Sequence, residues 1–169
     1  MATHHLAQVN IARALAPLDS PTMAGFLVRI AELNVLAEGS PGFVWRFQDG
    51  SGAATYTRPF DDDRIVFNMS VWETIEHLHA YAYKSVHAEV FRSRKEWFAR
   101  LESSAVALWW IPAGHVPTVE DGLARLAHLD QHGPTPKAFT FKTRFPAEGA
   151  SQSKEAASVR GVSSPERLP

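Results

Sequence analysis

Residues 71–98, VWETIEHLHAYAYKSVHAEVFRSRKEWF, hold the densest set of side chains able to do chemistry. On a helix Tyr83 and His87 lie four apart, as do His87 and Phe91, and Arg94 and Phe98, so one stripe carries Tyr, His, Phe, Arg and Phe. A neighbouring stripe of Leu78, Ala82, Val86, Val90, Trp97 and Leu101 reads as core. Neutral imidazole near pH 7 can move a proton or ligate a metal, which makes His87 a candidate for either; a hydrogen-bonded boundary histidine is the plainer reading.

Other constellations say less. His128 and His132 are four apart, a spacing that can chelate a metal, but no Glu of the H-E-x-x-H kind accompanies them and a solvated helix end is expected. His4 and His5 read as an exposed terminal pair, and Asp61-Asp62-Asp63 as a solvated turn. Arg92, Arg94, Lys95 and Arg100 interleave with Glu89, Glu96 and Glu102, the pattern of ion-paired surface rather than a nucleic-acid contact. No G-x-S-x-G, G-x-G-x-x-G or Walker sequence is present.

Composition narrows the classes further. The chain has 169 residues, 45% of them hydrophobic, a net charge of −1, eight His and no Cys. Without Cys there is no disulfide framework, thiolate metal site or Cys nucleophile, so any metal would have to rest on His and carboxylates, and no such site is expected. The near-neutral charge argues against a duplex-binding surface. No apolar run approaches the roughly 20 residues of a membrane helix. The start, MATHH, lacks the basic-then-apolar order of a signal peptide, so a cytoplasmic protein is expected. Five Trp in a chain of this size call for a core or a pocket.

The elements that must position these residues follow from periodicity. Residues 5–14 alternate as a strand, and Asp19-Ser20-Pro21 opens a helix that Gly39-Ser40-Pro41-Gly42 stops. A second strand places Phe43, Trp45 and Phe47 on one face, and Ile65–Trp72 is a third strand. Residues 73–101 are helical in period, with a break near Ser85; 105–111 form a fourth strand. An extra C-terminal helix runs from the Thr118 cap to about residue 131, and 138–141 form an edge strand. The order β-α-β-β-α-β predicts an α+β, ferredoxin-like sandwich with an antiparallel sheet. The folded domain spans residues 1–145, and 146–169, poor in apolar residues, reads as a disordered tail.

In the first three strands one phase collects Gln8, Asn10, Arg46, Gln48, Asn68, Ser70 and Trp72, against an almost wholly apolar opposite phase. This phase is too polar for a helix-packed core and too rich in Trp and amide for a plain solvent face. A partner subunit or a wet cavity is expected against it.

The pair Trp72-Glu73 at a strand end, with Ser85-Val86-His87 further along the helix, resembles the dimeric α+β barrel superfamily of the antibiotic-biosynthesis monooxygenases. More closely, the chain resembles an uncharacterised bacterial domain-of-unknown-function family of that superfamily. The residues that carry this are HLAQVNIAR (5–13), SPGFVWRFQD (40–49), SVWE (70–73), the span 83–98, LWWIPAGHVPT (108–118) and HGPTPKAFTF (132–141).

The resemblance implies a homodimer and a small-molecule site. Its oxygenase branch implies a cofactor-independent monooxygenase acting on an aromatic or polyketide-like substrate. Its heme branch implies a helical His against iron as the alternative, and a non-catalytic binding or dimeric structural module is a third reading. The residue types these activities want are Asn10, Trp72, Tyr83, His87 and one of Trp109 and Trp110. The catalytic reading casts His87 as base, Tyr83 as its hydrogen-bond partner, and Asn10 and Arg46 as anchors for an oxyanion. Trp72 is the stacking wall, and Gln8, Asn68 and one of Trp109 and Trp110 complete the binding set. No nucleic acid and no membrane partner is expected.

Overall fold

The structure, a computed structural model, describes residues 3–49, 59–84 and 93–147. Strand β1, His4–Ala14, is the sheet's axis. It pairs antiparallel with β3, Ile65–Trp72, on one side. On the other it pairs with β5, Val106–Pro112, along its first half and with the two-residue β4, Phe98–Ala99, at its end. Strand β2, Phe43–Arg46, adds to the far side of β3. The order β2-β3-β1-β5, with helix α1, Ala24–Glu38, after β1 and helix α2, Ile75–Lys84, after β3, is the ferredoxin-like α+β arrangement expected from the periodicity.

Each element has a local cause. Pro21 opens a 3-10 turn, Pro21–Met23, that leads into α1, because its missing N–H is one the first turn leaves unbonded anyway. The helix ends at Gly39. The extra helix α3, Val119–His132, begins in a capping box: Thr118 Oγ1 accepts from the Asp121 N–H while the Asp121 carboxylate accepts from the Thr118 N–H. Gly133, at φ +69°, closes it.

The alternation of β1, β3 and β5 sends two sets of side chains to opposite faces. Ala7, Val9, Ile11, Phe67, Met69, Val71, Ala107, Trp109 and Ile111 form the apolar face, which Leu126 and Leu129 of α3 cover. Gly122 allows the close approach, since a Cβ there would meet Val9, Met69 and Phe67 at 3.2–3.3 Å. On the other face Met23 and Phe26 of the first turn and α1 pack with Ala14 and Val66, while Ala37, Ile75 and Leu78 pack with Leu6, Trp72 and Leu108. Burying a side chain such as Phe67 or Leu6 contributes about 2–3 kcal/mol.

Four expectations are corrected. The polar phase, read as too polar for a helix-packed core, lies on the sheet face on which α1 and α2 pack. The helical period does not run to residue 101: residues 93–96 are a 3-10 turn, and Phe98 and Ala99 are strand. Tertiary pairing overrides the period there, because β1 offers its edge to Phe98–Ala99, Leu15 N donates to Trp97 O at 2.8 Å, and Phe26 packs edge-on to Phe98. In β2 an irregularity between Phe43 and Trp45 breaks the alternation, so Phe43 packs on Trp72 on the helix-covered face while Trp45 and Phe47 join the apolar core. The edge strand at 138–141 reduces to two isolated bridges, Leu108 to Phe139 and Thr135 to Ala138. The tail expected from residue 146 lies outside the described residues beyond residue 147.

Candidate functional site

The strand register sets the site out in rows across the helix-covered face. Phe43, Trp72, Leu6 and Trp110 are neighbours in one row, and Arg46, Ser70, Gln8 and Leu108 in the next. The third row is Asn68, Asn10 and Val106. Neighbouring strands stand about 4.8 Å apart, so side chains in a row are within reach of one another. Arg46, Ser70, Gln8, Asn68 and Asn10 thus form one polar strip bordered by an aromatic row.

Gln8 and Ser70 are each only 7% exposed. Gln8 Nε2 donates to Asn68 Oδ1 at 3.1 Å and to Ser70 Oγ at 2.9 Å. Trp72 Nε1 donates to the same Ser70 Oγ at 2.9 Å. Buried amides and hydroxyls cost free energy unless bonded, so this network is what lets a polar strip persist beneath two helices.

Trp72 is fully buried. Tyr81 of α2 stacks on it at 5.0 Å between ring centroids and 27° between planes, and Phe43 meets it edge-on at 5.4 Å. Trp72 is therefore a packed wall with Tyr81 upon it, not the open stacking surface expected. The Tyr81 hydroxyl donates to Leu33 O of α1 at 3.1 Å, tying the two helices together over the strip. Burial pushes the Tyr81 phenol up to about 12, although the Arg46 charge works the other way.

Arg46 carries the strip to the molecular surface. Its Nε donates to Glu38 Oε1 at 2.8 Å, and both residues line an open recess of about 290 Å³ with Phe43, Val44, Trp45 and Gln48. At this end an aromatic row, a guanidinium and a carboxylate meet solvent.

The structure separates the remaining candidates. Trp109 and Trp110 point to opposite faces: Trp109 is buried under α3 with the Arg125 guanidinium 5.8 Å over its ring. Trp110 shares the row of Trp72, and its Nε1 donates to Phe145 O at 2.8 Å. Trp109 is thus excluded from the polar strip by strand alternation. Tyr83 sits on another side of α2, against His79 at 4.8 Å and Phe141 at 5.4 Å. His87, the expected base, lies outside the described residues, as does Ser85.

Tyr81, Glu38 and Phe43 belong to the site and were not singled out from sequence. For Tyr81 the signal was its position three residues after the core Leu78, on the same helix face. For Phe43 it was hidden by the bulge, and for Glu38 nothing local marks it.

The acidic turn is structural. Asp62 accepts from Arg13 Nε at 2.6 Å and from the Arg64 N–H at 3.0 Å. These hydrogen bonds hold its carboxyl below the usual range. Among the described residues no group of three or more His, Cys, Asp or Glu is arranged around a metal position. Nor is any helix among them long and apolar enough to cross a membrane.

Comparison with known proteins adds a family. Residues 5–156 match the family described as Domain of unknown function (DUF3291). No curated protein matches. Among solved structures the chain is similar to PA3566 from Pseudomonas aeruginosa, at 13% identity and a TM-score of 0.44 over 68% of this chain and 99% of that one. It is also similar to NE2512, a protein of unknown function from Nitrosomonas europaea, at 12% identity and a TM-score of 0.42, covering 70% and 99%. A third is the monooxygenase ActVA-Orf6 of Streptomyces coelicolor in complex with Nanaomycin D, at 16% identity and a TM-score of 0.38, covering 69% and 95%.

Proposed function

The chain belongs to the DUF3291 family, a domain family of unknown function, and from that premise we propose that it is a small-molecule enzyme of the cofactor-independent monooxygenase kind. Its substrate is a flat aromatic or polyketide-like phenol whose oxygen is held by the polar strip. One observation carries this reading: among the described residues, the network of Gln8, Asn68, Ser70 and Trp72 holds more donors than its own bonds use. Each amide brings two N–H hydrogens, Ser70 one O–H and Trp72 one N–H. The three bonds among Gln8, Asn68, Ser70 and Trp72 engage three of these six hydrogens whichever way the two amides are turned, so three are not used within the network. Arg46, ion-paired to Glu38 at the open end, adds a guanidinium in the same row as Ser70 and Gln8. Such a set suits a phenolate or enolate oxygen flanked by apolar rings.

The chemistry balances without a bound cofactor. An anthrone-type substrate loses a proton to become an electron-rich enolate, which reduces O₂; the ring CH₂ becomes C=O, and the second oxygen atom leaves as water. The substrate supplies all four electrons. Arg46, Gln8 and Asn68 hold the oxyanion, Ser70 and Trp72 fix the amides, and Tyr81 with Trp72 forms the dry wall. His87, assigned as base from sequence, lies outside the described residues. The heme alternative needs the same His87, and the steps above use no heme. A second copy of the chain fits the apolar face on the β2 side, where Trp45 and Phe47 are only partly buried; light scattering at micromolar concentration tests this, with a monomer against it.

Oxygen uptake with a panel of anthrones and hydroquinones tests the function. Arg46→Gln, with its circular dichroism unchanged, is expected to turn over about 100-fold more slowly, the loss typical of one oxyanion donor. Equal rates in the two proteins, or no uptake by wild type across the panel, would count against the oxygenase reading.

A further inference from the structure

The two histidines near the end of α3 remain outside the site above, and their surroundings carry an inference of their own. His128 and His132, one turn apart, have ring centroids 4.7 Å apart and planes inclined at 46°. His128 Nε2 lies 2.8 Å from Thr135 Oγ1, in the turn that follows the helix. Thr135 Oγ1 also accepts from the Lys137 N–H at 3.2 Å, so the hydroxyl is fixed from a second side. In the tautomer whose Nε2–H donates to Thr135, the Nδ1 lone pair of His128 is left for another partner. A ligating imidazole is commonly oriented in this way, one ring nitrogen on the metal and the other donating to a fixed oxygen.

We propose that His128 and His132 form a two-imidazole clamp for a divalent transition-metal ion, with Thr135 as the positioning residue and water completing the coordination sphere. Three features favour it. The i, i+4 spacing puts both rings on one helix face. The rings are already adjacent, so little side-chain entropy is lost on binding. The site stands at a helix C-terminus, where the macrodipole favours a cation. Arg125 and Lys137 face the same corner and oppose it. Arg125 is occupied, donating from one terminal nitrogen to Lys137 O at 3.0 Å and lying over Trp109. A two-ligand site opposed by these charges selects by ligand type: imidazole suits Zn²⁺, Ni²⁺ and Cu²⁺ and leaves Mg²⁺ and Ca²⁺ in water.

Calorimetric titration of the full chain with ZnCl₂, and separately with MgCl₂, tests the clamp. One Zn²⁺ per chain and no Mg²⁺ uptake is expected. His132→Ala, at an exposed position, should melt as wild type does without metal and lose that binding. Thr135→Val should weaken it about tenfold, the loss usual for an outer partner of a ligating histidine. A wild-type chain that takes up no Zn²⁺ at millimolar concentration, or a His132→Ala chain that binds as wild type does, overturns the proposal. So does a Thr135→Val chain of unchanged affinity, for the positioning role.

Discussion

Gln8 of β1 donates to Ser70 Oγ of β3 at 2.9 Å on a sheet face that two helices cover. The bond places an amide where packing alone would put an aliphatic side chain. The same Ser70 oxygen receives the Trp72 indole N–H, so one hydroxyl anchors both the polar strip and its aromatic wall.

Ser70→Ala is therefore expected to destabilise the protein by about 1–3 kcal/mol, since it leaves one Gln8 N–H and the Trp72 N–H buried without an acceptor. Asn10→Ala, outside the three bonds of the network, should cost less. Urea unfolding followed by tryptophan fluorescence measures both. Equal midpoints for Ser70→Ala and wild type would mean that the network contributes nothing to stability.

Tyr81 supplies a pH test with a definite sign. Its folded value of about 12 lies above the ordinary 10, so the unfolded chain ionises first as pH rises. Stability held below pH 10 should then fall progressively between about 10 and 12. Absorbance at 295 nm should show one of the three tyrosines titrating last, and Tyr81→Phe should remove that step. Loss of the bond to Leu33 O should cost a further ~1 kcal/mol near neutrality. A Tyr81→Phe chain that keeps the late step would assign it elsewhere.

At Gly42 the constraint is steric. Its φ is +73°, and a Cβ there would run into the His77 ring. Gly42→Ala should lose at least 2 kcal/mol, combining left-handed strain with the clash. In Gly42→Ala/His77→Ala the clash is gone and the strain stays, so about half the loss should return. Additive single effects in this cycle would contradict the contact.

Asp62 gives the acid-side counterpart. Its folded carboxyl titrates below its ordinary value, so its contribution is present above about pH 4 and disappears as pH falls through the folded value. The melting temperature of Asp62→Asn should lie below that of wild type at pH 7, and the gap should narrow as pH falls below about 4. A gap unchanged across that range would rule out Arg13 and Arg64 as the cause.

Much of this was legible in the residues. Period-two alternation located β1, β3 and β5, and the Thr118 cap located α3, because each of these is a local signal. The polar phase of Gln8, Asn10, Arg46, Asn68 and Ser70 was legible too, since β-register gathers alternate residues into one strip. What covers that strip was not: an amide-rich phase reads as a wet surface unless the bonds among the amides are seen. The bulge that turns Phe43 toward Trp72 and the strand at Phe98–Ala99 depend on pairing between distant segments, which no local window contains. The split of Trp109 from Trp110 follows from alternation alone once the strand is fixed, and it leaves Trp110 as the one beside the strip.

The proposed function requires the strip beneath α1 and α2 to bind the oxygen of a flat aromatic ligand. Nitrogen-15 NMR of the side chains, titrated with a soluble hydroxyanthraquinone, reads this directly. Saturable shifts are expected in the Gln8 and Asn68 NH₂ signals and the Arg46 Nε–H, with the Trp109 indole unmoved. Shifts confined to other residues, or none at saturating ligand, would contradict it.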